Sequence, residues 1–323
     1  MKAIVLRAFG GPEVLQVEEV PIPKPGPGEV LVKVHAASVN RSLDILVRQD
    51  LGGYGVKLPY TPGVDAAGEV VAAGPDVRGL NAGDRVAMSI GVQQGGAYAE
   101  YLTIPADRPS LIPPELSYAQ GTVVVRHFPT AFGLARAADL KQGEWALIMG
   151  AAGALGACSV QVARNIGARV IAGAGADERV QAAQNLGADF GVNYRTQDLA
   201  QEVLKITDGH GIDVVFENIA DPTLWPGVIY SMAMRGRLVT VGAHGGGKVE
   251  LDVARLYHHR LHLMSGHDHT EPGDADRALA LAARGEARVL IDRILPLSQA
   301  PEAHRLAEHN LVLGKVVLDP TLG

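Results

Sequence analysis

The chain has 323 residues, 47% hydrophobic and 20% charged, with a formal net charge of −6, enough length for about two domains with full cores. It has no basic stripe to suit nucleic acid, and no stretch approaches the roughly 18 uncharged apolar residues of a membrane span. The single cysteine, Cys158, excludes an internal disulfide and a cysteine-rich zinc site.

The N-terminal MKAIVLRAFGG has a short apolar run broken at Arg7. That is too short for a secretory leader, so a soluble, cytoplasmic protein is expected. Residues 1–120 are rich in β-branched residues, proline and glycine. EVLVKVHAASVN and AAGEVVAAG read as strands between turns, and PIPKPGPGE (21–29) is too dense in proline for a central strand. LNAGDRVA (80–87) reads as a turn and the start of a strand. This half is expected to be a small, mostly β barrel.

Over 121–266 the rhythm changes. WALIM is a short apolar run, followed by a helical pattern from Leu155 to Ile166. RVIAG, DFGVNY, IDVVFENI, RLVTVG and LHLMSG read as further strands. Helices are expected over DERVQAAQNLG, 196–207, near 224–234 and near 252–259. Six strands alternating with helices predict an α/β fold, a doubly wound parallel sheet of the Rossmann type. The last segment, 267–323, shows one helix (274–284) and short strands ending in GKVVL. It has no evident sheet of its own and is expected to rejoin the first domain.

IMGAAGALGA links the first strand of the parallel sheet to its helix. Ala151, Gly153 and Gly156 form the pattern A-x-G-x-x-G, with Gly150 just before it. The small first residue permits a tight turn. Gly153 lets the backbone approach a pyrophosphate, and Gly156 lets the helix lie close on the strand. Around Ala152, Ala154 and Leu155 the helix start offers free N–H groups and partial positive charge to an anion. A glycine-rich packing turn is the alternative. The strand-to-helix setting, with another strand about 20 residues on, favours a dinucleotide.

The second strand points to which dinucleotide. An NAD site commonly ends this strand with Asp or Glu for the ribose hydroxyls. Here it ends VIAGAGADER, with Gly173, Ala174 and Gly175 where the acid would stand. Asp177 comes later and is expected to cap the next helix. Arg179, in that helix's first turn, and Tyr194, ending the third strand, are candidates to meet a 2′-phosphate. This favours NADPH, since a phosphate wants a cation and an acid would repel it.

Nearly end to end, the chain resembles the medium-chain dehydrogenase/reductase superfamily, in its zinc-independent quinone oxidoreductase and enoyl reductase branch. The resemblance lies in MKAIVLRAFGGPEVL, GPGEVLVKVHAASVNRSLD, PYTPGVDAAGEVVAAG, AGDRVA, GGAYAEY, AAGALG, LGAD with VNYR, and GKVVL. It implies a GroES-like first domain ahead of the Rossmann domain. Zinc-dependent members carry Cys where this chain has Asn40, and Gly-His-Glu where it has Gly63, Val64 and Asp65; their third ligand falls near Arg126. A catalytic zinc needs three protein ligands and an open position, so no metal is expected.

The resemblance further implies an NADPH-dependent reductase that passes hydride to a quinone or an α,β-unsaturated carbonyl. Such electron-poor acceptors do not need the Lewis acid that alcohol oxidation does. By the same resemblance Asn40 and Asp44 lie near nicotinamide and substrate, and Thr130, Gly242, Ala243 and Lys315 lie along the cofactor. Tyr54 is the candidate proton donor or gate, with water as the alternative. Arg126 and His127 stand where relatives are apolar, facing either the acceptor or solvent. In FENIA (216–220), Glu217 is expected to face the sheet and Asn218 the ligand. YHHRLHLMSGHDH (257–269) gathers five histidines, among them His258, His262, His267 and His269 near Asp268. They read as surface and interface residues of a homodimer, with a metal site the lesser alternative. An enoyl-thioester reductase and a non-catalytic NADPH-binding redox sensor are the competing functions.

Overall fold

The computed structural model describes residues 1–267 and 269–322. It divides into two compact units, Met1–Arg126 with Ala275–Gly323, and His127–Asp274.

In chain order the first unit starts with an antiparallel ribbon, β1 (Lys2–Leu6) and β2 (Leu15–Glu19), followed by β3 (Glu29–Ser38). A π-helical turn, Arg41–Ile45, then leads into the short helix α1 (Leu46–Arg48). Next come β4 (Asp65–Ala73), β5 (Arg85–Ser89), β6 (Tyr101–Pro105) and β7 (Ser110–Leu111). The helix α2 (Tyr118–Ala137) contains the junction between the units.

The second unit alternates strand and helix: β8 (Trp145–Met149), α3 (Ala154–Ile166), β9 (Arg169–Ala174), α4 (Asp177–Asn185), β10 (Phe190–Asn193), α5 (Leu199–Ile206), β11 (Ile212–Phe216), α6 (Trp225–Ser231), β12 (Met232–Thr240), α7 (Val253–His259) and β13 (His262–Ser265). All pairings are parallel, in the order β10-β9-β8-β11-β12-β13. In sequence rank that is 3-2-1-4-5-6, the dinucleotide-binding order, with its reversal beside β8. Every residue of β8 is buried, as an inner parallel strand covered by helices requires. Leu147, Ile171, Val192, Val215 and Leu238 carry the core from strand to strand.

The chain then runs through α8 (Asp274–Ala283), β14 (Ile291–Pro296), α9 (Ala300–Glu308) and β15 (Lys315–Asp319). β15 lies between β14 and β3, completing the order β14-β15-β3-β4-β5-β7, while β6 also pairs with β3. The core of this unit joins Val32, Val70 and Met88 of the sheet to Leu297, Ala303 and Leu306 of the returning segment.

Three local expectations are corrected. The helix near 224–234 ends at Ser231, because Met232 and Ala233 are drawn into β12 and buried there; burial overrides the helical preference of the run. The helix over 196–207 starts at Leu199, since Asp198 is its N-cap and accepts from Gln201 N at 2.9 Å. Asp177 does not cap α4. Ala176 holds that place, and Asp177 is the first helical residue, accepting from Asn193 Nδ2 at 2.7 Å.

Candidate functional site

Each unit holds one group of candidate residues. In the first unit the group forms where β3 gives way to the π-helical turn. Ile45 N reaches Asn40 O at 3.3 Å, a bond spanning five residues, which swings Asp44 back over Asn40. Asp44 Oδ2 accepts from Asn40 N at 2.8 Å and from Asn40 Nδ2 at 3.3 Å. Asn40 Nδ2 also donates to Asp65 Oδ2 at 2.8 Å, and Asn40 Oδ1 accepts from Lys315 Nζ at 2.7 Å. Lys315 Nζ donates to Val39 O as well, at 2.6 Å. Asp65 is held in turn by Ser38 N at 2.9 Å and Thr122 Oγ1 at 3.0 Å.

All these charged groups are buried: Asp44 at 1%, Asp65 at 0% and Lys315 at 5% exposure. The Lys315 ammonium donates to neutral oxygens, Val39 O and Asn40 Oδ1, while its charge is felt by Asp44. Burial, then the charge of Asp65, pushes the Asp44 pKa up to about 6, against the pull of Asn40 N, Lys315 and Tyr98. The Asn40 amide has no rotational choice left: its oxygen faces an ammonium and its nitrogen faces two carboxylates.

Among the described residues Tyr54 makes no hydrogen bond to this cluster, although it feels the charge of Asp44. Its hydroxyl donates to Ser42 O at 2.8 Å, so its proton is committed to the backbone. Burial raises its pKa, while Arg126 lowers it. Arg126 thus lies on the Tyr54 side of the first unit, half-buried, and His127 beside it in sequence is also half-buried.

In the second unit the loop after β8 is drawn tight. Gly150 takes a φ of 66°, and Gly153 N bonds Gly150 O at 2.9 Å. A β-carbon on Gly156 would stand 2.2 Å from Gly150 O, so only glycine lets α3 start this close to the strand. Gly153 is the N-cap of α3, and the first bond of the helix runs from Ala157 N to Gly153 O at 2.8 Å. The amides of Ala154, Leu155 and Gly156 precede that bond and point out of the helix end. This cradle fits a pyrophosphate.

At the end of β9, a β-carbon on Gly175 would lie 3.2 Å from both Tyr194 Oη and Arg195 Nε. Burial raises the Tyr194 pKa, and Arg195 and then Arg179 pull it down, so both cations flank the ring. Arg195 was not singled out in the sequence, although it follows Tyr194 directly and carries the same charge argument as Arg179. Asn218 is buried, and its Oδ1 accepts from Val241 N at 3.0 Å, beside Gly242. Glu217 folds back onto its own loop and accepts from Ile219 N and Ala220 N, rather than reaching across the sheet. Thr130 lies half-buried on α2, and Ala243 follows Gly242 after β12.

Lys315, expected along the cofactor, has its ammonium in the Asn40 cluster of the first unit. Asp65, Tyr98, Thr122 and His304 join that cluster without having been flagged as site residues. Tyr98 lies within GGAYAEY and Asp65 within PYTPGVDAAGEVVAAG, so two were legible as parts of motifs. In the histidine segment, His259 Nε2 lies 2.9 Å from Arg255 Nη1, and His262 is exposed on β13. Asp268 lies outside the described residues. Among the described residues no three His, Cys, Asp or Glu side chains are grouped to hold a metal. No helix among them is long and apolar enough to cross a membrane.

A parallel sheet of order 3-2-1-4-5-6 with this loop, in a chain that also carries a mostly β unit, is the make-up of a dehydrogenase-type oxidoreductase. Residues 26–114 match the alcohol dehydrogenase GroES-like domain, and residues 154–284 the zinc-binding dehydrogenase family. The chain is 32% identical to quinone oxidoreductase of Sus scrofa, over 98% of this chain and 97% of that one. It is 30% identical to an NAD-dependent alcohol dehydrogenase of Sulfurisphaera tokodaii, over 99% and 100%. Among solved structures, Escherichia coli quinone oxidoreductase complexed with NADPH matches with a TM-score of 0.89 at 28% identity, over 99% of this chain and 100% of that one. The chain belongs to the medium-chain dehydrogenase/reductase superfamily, in its quinone oxidoreductase-like branch.

Proposed function

We propose that the protein is an NADPH-dependent reductase that adds hydride to a quinone or an α,β-unsaturated carbonyl without zinc. One observation carries the cofactor choice. β9 ends without an acid, and its last turn is flanked by Tyr194, Arg195 and Arg179. An NAD site would want a carboxylate there, whereas a 2′-phosphate wants cations.

The donor set does not fit a catalytic zinc. Val64 offers no ligand atom, and Asn40 and Asp65 are already hydrogen-bonded to each other. Without a Lewis acid the easier task is reduction of an acceptor that is already electron-poor.

When bound, NADPH supplies the hydride. Residues of this chain hold and place it: the amides of Ala154 and Leu155 meet the pyrophosphate, with Ala151, Ala152 and Gly153 forming the turn. Gly175, Arg179, Tyr194 and Arg195 meet the 2′-phosphate. Thr130, Asn218, Gly242 and Ala243 line the nicotinamide side. The Asn40, Asp44 and Lys315 cluster sets the charge where the acceptor gains electrons. Since the Tyr54 hydroxyl is bonded to Ser42 O, water is the favoured proton source.

The test is oxidation of NADPH, followed by nicotinamide absorbance, with a quinone and a medium-chain enone, each with and without chelator, and each repeated with NADH. Turnover with NADPH that ignores chelator is expected. Tight NADPH binding with no turnover on either acceptor would sink the reductase reading in favour of a sensor. A second result is expected from Arg179→Ala and Arg195→Ala. Each loses a charge-assisted contact, so KM for NADPH should rise about ten- to hundredfold while KM for NADH stays put. Equal losses with both cofactors would reject the 2′-phosphate assignment.

A further inference from the structure

Behind Asp44 stand two side chains that the proposed reaction does not use. Tyr98 Oη donates to Asp44 Oδ2 at 3.1 Å and lies 3.3 Å from His304 Nε2. The two rings meet edge to face, with centroids 5.8 Å apart at 83°. Both residues are 0% exposed. Tyr98 comes from the segment before β6, and His304 from α9 of the returning chain.

The hydrogen inventory fixes the direction of this chain. A tyrosine hydroxyl has one hydrogen. With that hydrogen on Asp44, the hydroxyl can only accept from His304, so His304 carries its proton on Nε2. Burial, with Arg48 adding to it, holds the His304 pKa down at about 3, so the ring stays neutral. Arg48 is itself fully buried and bonded to Glu308 at 2.8 Å, which anchors α1 to α9 behind the pair. The run of donors is therefore His304 to Tyr98 to Asp44.

Among the described residues, the three hydrogen bonds to the Asp44 carboxylate fall on the same oxygen, Oδ2: from Asn40 N, Asn40 Nδ2 and Tyr98 Oη. That leaves Oδ1 as the oxygen able to take a proton. The charged and titratable groups around Asp44 are Asp65 and Lys315, with Tyr54, Tyr60 and Tyr98 feeling its charge. While Asp44 is ionised, its Oδ2 holds the Asn40 amide nitrogen on the carboxylate side and the amide oxygen toward Lys315.

We propose that Tyr98 and His304 are positioning residues for Asn40: by pinning Oδ2 of Asp44 they keep the Asn40 amide oriented between Asp65 and Lys315. This rests on the reading that the Asn40 cluster belongs to the reductase site. Ionised Asp44 is then the working form, and activity falls on the acid side as Asp44 takes up a proton. Burial and Asp65 hold the Asp44 pKa up at about 6, so the acid side of the profile is expected there in the unaltered enzyme.

The experiment has two arms. The first follows aspartate carboxyl carbons by NMR across pH in full-length protein, with Asp44 assigned from the Asp44→Asn spectrum. The second measures kcat and KM against pH with NADPH and the better acceptor. Tyr98→Phe removes only the hydroxyl. It should raise the Asp44 midpoint by about one pH unit, the tenfold effect of losing one hydrogen bond to a charged group. The acid side of kcat should move up with it, while KM for NADPH stays within about twofold. His304→Leu should shift the midpoint the same way by less, and His304→Gln, which keeps an N–H, should restore it.

An unmoved Asp44 midpoint in Tyr98→Phe overturns the proposal. So does a midpoint that moves while the kcat profile does not. If the unaltered enzyme reduces neither acceptor, the reductase reading fails by itself, and the carboxyl midpoint alone decides whether Tyr98 and His304 pin Asp44.

Discussion

Lys315→Met should lose at least about a hundredfold in kcat/KM and about 1–3 kcal/mol of folding stability, the range for leaving buried hydrogen-bond acceptors unsatisfied. The side chain is 5% exposed, and its ammonium bridges Val39 O and Asn40 Oδ1. Methionine keeps much of the volume, so packing contributes little to the loss. What goes is the positive charge felt by Asp44, and the donor that fixes the Asn40 amide.

The loss should depend on pH, with a definite sign. The folded-state pKa of Asp44 is raised to about 6 from an ordinary carboxylate value. Between those two values the folded state binds more protons than the unfolded one, so this group's contribution to stability falls as pH rises through about 6. Removing Lys315 extends that window upward. Urea unfolding should therefore show a larger deficit for Lys315→Met at pH 8 than at pH 5. A deficit of the same size at both would mean that lost packing, and not charge, is responsible.

Gly156→Ala is expected to weaken NADPH binding by a hundredfold or more and to destabilise the protein by about 2–4 kcal/mol. The new β-carbon would meet Gly150 O at 2.2 Å and Gly150 C at 2.8 Å, both backbone atoms that no side-chain rotation can clear. The loop or α3 must move, and either movement would displace the amides of Ala154 and Leu155 from the place proposed for the pyrophosphate. Titration of cofactor fluorescence and a thermal melt measure the two effects together. A variant that binds NADPH as tightly as the unaltered chain would show that the cradle is not where the pyrophosphate sits. The carboxyl midpoint of Asp44, in the other unit, should not change.

Much of the second unit was legible because its signal is local. WALIM, the A-x-G-x-x-G turn and the helix after it lie within about 20 residues, and the spacing of the later strands repeats that unit. The end of β12 was less legible, since Met232 and Ala233 are strand only because the sheet buries them. The first unit hid more. Asn40 and Asp44 were picked out by resemblance, but their joining to Lys315 spans 275 residues, and no periodicity reports it. The π-helical turn that brings Asp44 back over Asn40 leaves no mark in RSLDI. Helix α9 was missed because its buried face, Ala300, Ala303, His304 and Leu306, has a histidine and small residues where a longer apolar stripe would be read. That same histidine is the one behind Tyr98.

The returning segment has a consequence for how the chain is made. Asn40 emerges from the ribosome early, but Lys315, His304 and the strand that lies between β14 and β3 arrive last. The second unit, from His127 to Asp274, is synthesised whole and can fold while the rest is still being added. The first unit is completed later: until β15 is added, the end of β3 at Ala37 and Ser38 lacks the strand that will pair with it, and Asn40 lacks its bond from Lys315. The protein therefore finishes its oldest residues last, and a nascent chain stalled short of residue 315 presents an open sheet edge to its neighbours, the form in which chaperone capture or aggregation would act.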